Sequence, residues 1–256
     1  MAGVALFFLL VTLVAGLATA AVVEQKGVRI TVLSQIQPYR LPRTGSAPIA
    51  VFISGHIGTK TGAVPPQLQR MAVKVNRHGL LQSQGLPSCT LAEIQPSSTK
   101  RALSRCSDAL VGSGRFWASI VLPDQRPYPT RGKLLVFNGR RGGKPVLFAH
   151  IYTTLPFSTS FVVTFDIKHI DDGRYGTELS ASLPQALGTW GFVDRIKFTL
   201  SRTYAYRGRE LSYFNSSCPA PAETAVTSFP LALATFYLDD VEPITLTVNK
   251  SCRVAK

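Results

Sequence analysis

Alternation with a period of two runs through almost the whole of this chain, and that repeat is what a half-buried β-strand requires. In Phe161–Lys168 one face is Phe161, Val163, Phe165 and Ile167, and the other is Val162, Thr164, Asp166 and Lys168. Ile196, Phe198 and Leu200 alternate with Lys197, Thr199 and Ser201. Ile244, Leu246 and Val248 alternate with Thr245, Thr247 and Asn249. Weaker patterns of the same kind cover residues 28–33, 49–54, 68–75, 115–122, 133–137, 146–152 and 231–238. No βαβ alternation interrupts them, so the expected fold class is all-β, an antiparallel sandwich or a barrel-like meander.

Turn chemistry separates the runs. Asn138-Gly139 and Gly142-Gly143 lie between two apolar runs and mark a hairpin; Asp171-Asp172-Gly173 marks a second and Arg207-Gly208-Arg209 a third. One short helix is expected near 97–110, with Ser97 or Ser98 as its cap and Leu103, Cys106 and Leu110 on one face. The prolines at 65–66, 123–129 and 219–221 read as connectors. The middle group is where a β-rich domain of residues 21–256 would divide in two.

The first twenty residues bear on the compartment. Leu6 to Leu17 is a nearly unbroken apolar run, too short to span a bilayer comfortably, and Ala18-Thr19-Ala20 after it has the small-x-small form of a cleavage site. The expectation is a signal peptide over residues 1–20 and a secreted or cell-envelope protein; a retained anchor is the competing reading. Four cysteines, Cys89, Cys106, Cys218 and Cys252, include no CxxC pair and no histidine at ligand spacing, so they provide no zinc site. In an exported chain an even count reads as disulfides. Of three connectivities, Cys89–Cys106 with Cys218–Cys252 is favoured because each joins sequence neighbours.

The chain carries 28 Lys and Arg against 14 Asp and Glu, a formal net charge of +14, and none of the charged residues lies in residues 1–20. Such an excess attracts polyanions and anionic lipid headgroups, and it also serves solubility alone.

Several motifs carry no chemistry here. Leu41-Pro42-Arg43-Thr44-Gly45 matches the sortase signal LPxTG, but it lies near the wrong terminus, and cleavage there would discard the protein. Ser97-Ser98-Thr99-Lys100 and Lys60-Thr61-Gly62 match the SxxK and KTG elements of penicillin-binding proteins in reversed order. No GxSxG elbow, HExxH helix or Walker loop occurs, so no catalytic residue, metal ligand or cofactor is expected. His150 alternates with Phe148 and Tyr152 and reads as a hydrogen-bonded core histidine. The pairs Asp171-Asp172 and Asp239-Asp240 flank strand ends, where Asp forms turns.

Basic residues gather at two places, one of them with aromatics. Arg202, Tyr204 and Tyr206 share one strand face, followed by Arg207 and Arg209, while Arg140, Arg141 and Lys144 crowd a hairpin tip. If residues 133–216 form an up-and-down meander, the turns at 139–144, 169–176 and 207–209 lie at one end. Tyr and Arg placed there are suited to stacking on sugars or clasping phosphates.

One set of short strings is shared with known sequences: Pro65-Pro66-Gln67-Leu68, Val73-Lys74-Val75-Asn76-Arg77, Gly85-Leu86-Pro87-Ser88-Cys89, Ala109 to Gly112, Arg131 to Gly139, Ala149 to Tyr152, Leu183-Pro184, Trp190-Gly191 and Cys218 to Pro221. Together they resemble a family of exported β-rich proteins from high-GC Gram-positive (actinobacterial) bacteria. The resemblance covers most of the chain from about Ala47 onward. It implies a bacterial source and a shared β fold, and it brings no activity, ligand or catalytic residue. The functional expectation is a non-enzymatic exported protein that binds an anionic or apolar envelope component, with no specific nucleic-acid partner. Behind it stand a lipid carrier with a curved sheet, whose warrant is the two-faced apolar runs 134–137 and 231–238, and an envelope-polymer hydrolase.

Overall fold

The computed structural model describes residues 19–120, 126–155, 158–183 and 191–255. Thirteen of its eighteen strands join one sheet. In chain order the strands of that sheet are β1 (Thr19–Gln25), β2 (Val28–Gln37), β3 (Arg40–Leu41), β5 (Ala50–Thr59), β6 (Leu68–Asn76), β8 (Leu110–Ile120), β9 (Tyr128–Arg141), β10 (Lys144–Thr153), β11 (Thr159–Asp172), β12 (Tyr175–Ser182), β13 (Gly191–Leu200), β17 (Val226–Leu238) and β18 (Ile244–Val254). Their spatial order is β1-β2-β5-β13-β8-β9-β10-β11-β12-β6-β17-β18-β3. Every neighbouring pair is antiparallel except β18 with β3. The fold is all-β, with the sheet curled into a large half-barrel.

The alternation seen in the sequence is what curls it. Phe165, Ile167, Leu179, Ile196 and Phe198 point inward onto a core that includes Phe116, Leu134, Val136, Leu147 and Val163. A second core joins strands from opposite flanks: Val28, Ile30 and Ile57 meet Ala234, Phe236, Ile244 and Leu246. In β17 the buried positions change parity, from Phe229 and Leu231 to Ala234, Phe236 and Leu238. A bulge between Pro230 and Ala232 inserts the extra residue, so one face stays inward throughout. Run 231–238 therefore buries one face, not two.

Leu134–Phe137 is buried on both. Leu134 and Val136 enter the main core, while Leu135 and Phe137 lie with Val146, Phe148 and Val162 beneath Ile94, Ala102 and Ala109. Those three belong to α1 (Leu91–Ile94), α2 (Thr99–Cys106) and the short 3₁₀ turn Ser107–Ala109. Ser98 caps α2, its hydroxyl accepting from the Arg101 N–H. The short helix is thus where the sequence places it, and it covers the outer face of β9–β11 with about 1.5–3 kcal/mol for each large side chain removed from water.

The β9–β10 turn is Gly142-Gly143, both at positive φ, with Arg141 opposite Lys144. Asn138-Gly139 stays inside β9: the Asn138 side chain donates to the Pro87 carbonyl, and the Phe148 ring occupies the space where a Gly139 Cβ would sit. β9 to β12 form the expected meander, but β13 does not continue it. It crosses back to lie between β5 and β8. The strands β8 and β9 flanking residues 121–127 pair with each other along their length. The proposed signal segment lies outside the described residues except Thr19 and Ala20, which open β1 opposite Ser34 and Leu33.

One end of the half-barrel is closed by a three-stranded sheet of β4 (Ala47–Pro48), β16 (Phe214–Ser216) and β7 (Gly79–Leu81), and by the hairpin β14 (Thr203–Tyr206) with β15 (Arg209–Ser212). Both disulfides lie at that end, Cys89–Cys106 and Cys218–Cys252, each with a Cα–Cα distance of 5.7 Å. The LPxTG string has a structural place there. Leu41 is buried in β3, and the Arg43 guanidinium donates to the carbonyls of Ala220, Pro221 and Thr224. Loops of 17 and 34 residues imply roughly 3 and 4 kcal/mol of stabilisation from lost chain entropy. Replacing Cys218 and Cys252 together by Ala is expected to lower the unfolding free energy by about 3–4 kcal/mol in urea titrations. An unchanged midpoint would refute a stabilising role for that link.

Candidate anion-binding surfaces

The three basic turns lie at one end of the sheet, by a different route from a simple meander. β9 and β13 both finish at the end where β8 begins, as the pairs Leu110–Phe137 and Gly112–Leu200 show, and the β11–β12 turn shares it. Most of the singled-out side chains have local partners there. Arg141 donates to both carboxylate oxygens of Asp166 at 2.6 Å, and Arg140 to the Gly143 carbonyl at 3.1 Å. Arg202 donates to the Asp108 carbonyl at 3.2 Å, while its Nε is buried without a partner. The Tyr204 hydroxyl donates to the Gln82 and Gln84 carbonyls, and its ring packs on the main core. Tyr206 fills the space over Gly85, and the Arg207 guanidinium sits 5.2 Å from the Tyr206 ring centroid. Lys144 and Arg209 are exposed. Arg141, Arg202 and Tyr204 are thus engaged by protein partners, leaving Arg140, Lys144, Arg207 and Arg209 as the outward charges of that end.

A denser cluster lies elsewhere, on the convex face of β13, β8 and β9. Inward positions on these strands are Ile196 and Phe198, Phe116 and Ala118, and Leu134 and Val136. The intervening positions therefore point out. Register sets them in two rows. Lys197 faces Arg115, which faces Lys133; Arg195 faces Trp117, which faces Arg131. All five cations are exposed. Neighbouring strands are about 4.8 Å apart, and successive outward residues about 6.7 Å, so the five occupy one small patch. Among the described residues none of the five forms an ion pair. The Arg195 guanidinium lies 5.9 Å from the Trp117 ring centroid, within cation–π range.

Among the described residues, the carboxylate beside the patch is Asp194, in a bulge between Val193 and Arg195. It accepts from the Ser119 hydroxyl at 2.9 Å, and partial burial raises its carboxyl above the usual range. Over β11, β12 and β6 the outer face is balanced across strands. Glu178 stands between Lys168 and Lys74, and the Lys74 ammonium is 2.6 Å from Asp172. Like charges directly opposite one another destabilise a sheet. The unbalanced rows are therefore a feature that folding alone does not favour.

Sequence reading had passed over these residues because each is ordinary by itself. The available signal was the i, i+2 spacing of Arg131 with Lys133, of Arg195 with Lys197 and of Arg115 with Trp117. It becomes a cluster only once the register is known.

The remaining candidates have structural surroundings. Cys89, Glu93 and Cys106 come together, but the two sulfurs are bonded to each other, and Glu93 accepts from the Thr90 N–H and hydroxyl at 2.7 Å. Asp171 is 3.7 Å from Arg77, Asp239 accepts from Gln69, and Asp240 turns the chain at φ 55°. A scan against protein-family models and searches of curated proteins and of solved structures found no match.

His150 is fully buried under the 94–98 segment, with Nε2 3.0 Å from the Ser97 carbonyl and Nδ1 without a partner. The Nε2–H tautomer donates that bond. Burial pushes the imidazole below its usual value, and His78, hydrogen-bonded to Ser217, is lowered for the same reason. Both are neutral in the fold, so their contribution is complete above about pH 6.5 and is lost as pH falls through the depressed folded values. Thermal midpoints are expected to drop between pH 7 and pH 5, less steeply in His150→Gln, whose amide keeps a donor for Ser97. An equal drop in the variant would remove His150 as a source.

Proposed function

We propose that this is an exported, non-enzymatic β protein of the cell envelope that binds an anionic envelope component. The observation that carries the reading is the pair of cation rows around Trp117 on β13, β8 and β9, without ion pairs among the described residues. Five positive charges on three adjacent strands raise the local concentration of anions, and guanidinium groups bond phosphate and carboxylate oxygens in pairs. The outward charges at the closed end, Arg140, Lys144, Arg207 and Arg209, extend the same positive field. Export agrees with the apolar leader, its small-x-small site and the two cysteine pairs at disulfide distance. Cleavage after Ala20 removes two of the seven β1–β2 register pairs and leaves Ala21–Gln25 paired.

Two features favour surface binding over a lipid carrier. The inner face is occupied by its own side chains, among them Phe116, Leu147, Tyr213 and Phe229, and the second apolar face of 134–137 is covered by α1 and α2. The carboxylates at Asp166, Asp172 and Asp194 each have a protein partner, which favours binding over hydrolysis.

The test is charge reversal at two places. Arg115→Glu, Lys133→Glu and Lys197→Glu combined is expected to weaken binding to isolated envelope material at 50 mM salt by at least about 100-fold and to flatten its salt dependence. Reversing Arg140, Arg141, Arg207 and Arg209 is expected to weaken binding too, but by less than the sheet-face variant, since Arg141 is engaged by Asp166 and Arg140 by the Gly143 carbonyl. Unchanged binding in the sheet-face variant would sink the assignment.

A further inference from the structure

We infer that the anionic partner of this face is a lipid bilayer surface, which the protein grips with cations and apolar side chains together. The inference rests on the anion-binding reading above and names its partner.

The cation rows do not end in polar surface. On the same convex side, β5, β2 and β1 present Phe52, Leu33 and Val22, exposed by 37%, 38% and 47%. These are outward positions, because Val28, Ile30 and Ile57, of opposite parity on β2 and β5, are buried in the core, and the half-buried neighbours Ala21 and Val23 on β1 pack against it. Register places the three on a diagonal. Leu33 faces Ser54 and Ala20, so Phe52 and Val22, each two positions along, are its diagonal neighbours. Diagonal neighbours lie about 7–8 Å apart, within reach of such side chains. Phe52 in turn faces Thr199, next but one to Lys197, so the apolar diagonal runs into the cation row.

That combination selects among anions. A soluble polymer of charged repeats needs only the cations and has nothing to offer an exposed Phe, Leu and Val. A bilayer supplies both layers of chemistry: headgroup phosphates for Arg and Lys, and the acyl boundary beneath them for apolar side chains. Half-buried Trp117 and Tyr152, outward on β8 and beside Lys133 on β10, are the amphipathic aromatics that favour that depth. The face is also convex, being the outside of a curled sheet, so it meets a broad surface more readily than it encloses a strand of polymer.

The experiment uses the exported protein with vesicles of phosphatidylglycerol and phosphatidylcholine, vesicles of phosphatidylcholine alone, and polyphosphate as a soluble polyanion. The variants are Arg115→Gln/Lys133→Gln/Lys197→Gln and Leu33→Ser/Phe52→Ser, with thermal midpoints checking that both fold. Expected is cosedimentation with the anionic vesicles and far less with the neutral ones. The charge variant should lose on the order of 100-fold in partitioning, about fivefold per cation. The apolar variant should lose about tenfold on vesicles and nothing on polyphosphate. Vesicle binding unchanged by Leu33→Ser/Phe52→Ser, with polyphosphate bound and released by salt, overturns the bilayer inference and leaves the anion-binding reading standing. Binding to neither vesicles nor polyphosphate at 20 mM salt overturns both.

Discussion

This sheet of thirteen strands buries its apolar face by curling until strands from its two flanks share a core. Here Val28, Ile30 and Ile57 from one flank meet Ala234, Phe236 and Ile244 from the other. Everything else follows from that closure. Inward positions must be apolar on every strand, and a bulge in β17 restores the parity where the strand would otherwise turn the wrong side chains inward. Lys250 on β18 donates to the Ser34 carbonyl of β2 at 3.3 Å, a polar stitch across the same junction. The end near β9 is then filled by the small sheet and hairpin, with Tyr213 and Phe214 packed edge to face at 4.8 Å.

The convex side is free of that demand, and beyond the apolar diagonal of β5, β2 and β1 the chain uses it in three ways. Over β9–β11 it is covered by the helices. Over β11, β12 and β6 it carries alternating charges that neutralise one another across strands, as Lys168, Glu178 and Lys74 do. Over β13, β8 and β9 it carries cations side by side. The contrast is within one sheet, at the same strand spacing and in the same solvent. The difference is not one that holding the sheet together requires.

Most of the strands were legible because their alternation is local: β11, β13 and β18 show their inner faces in eight or ten residues. β12 was not, since Tyr175–Ser182 has only Leu179 and Ala181 to mark its inner side. The order of strands was also hidden. Nothing near residue 191 says that the chain will return to lie between β5 and β8, because that choice depends on a core assembled from the whole sheet. The same non-locality explains the site. Arg202 and Tyr204 looked available because strand parity reveals which way a side chain points, not that the Asp108 or Gln82 carbonyl will meet it. Arg115, Lys133 and Lys197 looked unremarkable because they are up to 82 positions apart and meet only through register.

The meeting of β1 and β2 with β17 and β18 has a consequence for how the molecule comes into being. Residues 19–37 share their core with residues 226–254, so β1 and β2 wait for β17 and β18 before their apolar face is covered. Bringing such distant segments together is slow, because the intervening chain must be ordered before the contact repays it. A polypeptide of this design stays open until strands from both flanks are present. It becomes a closed body only when its C-terminal hairpin arrives, where Cys252 can bond with Cys218 and fix the last strand in place.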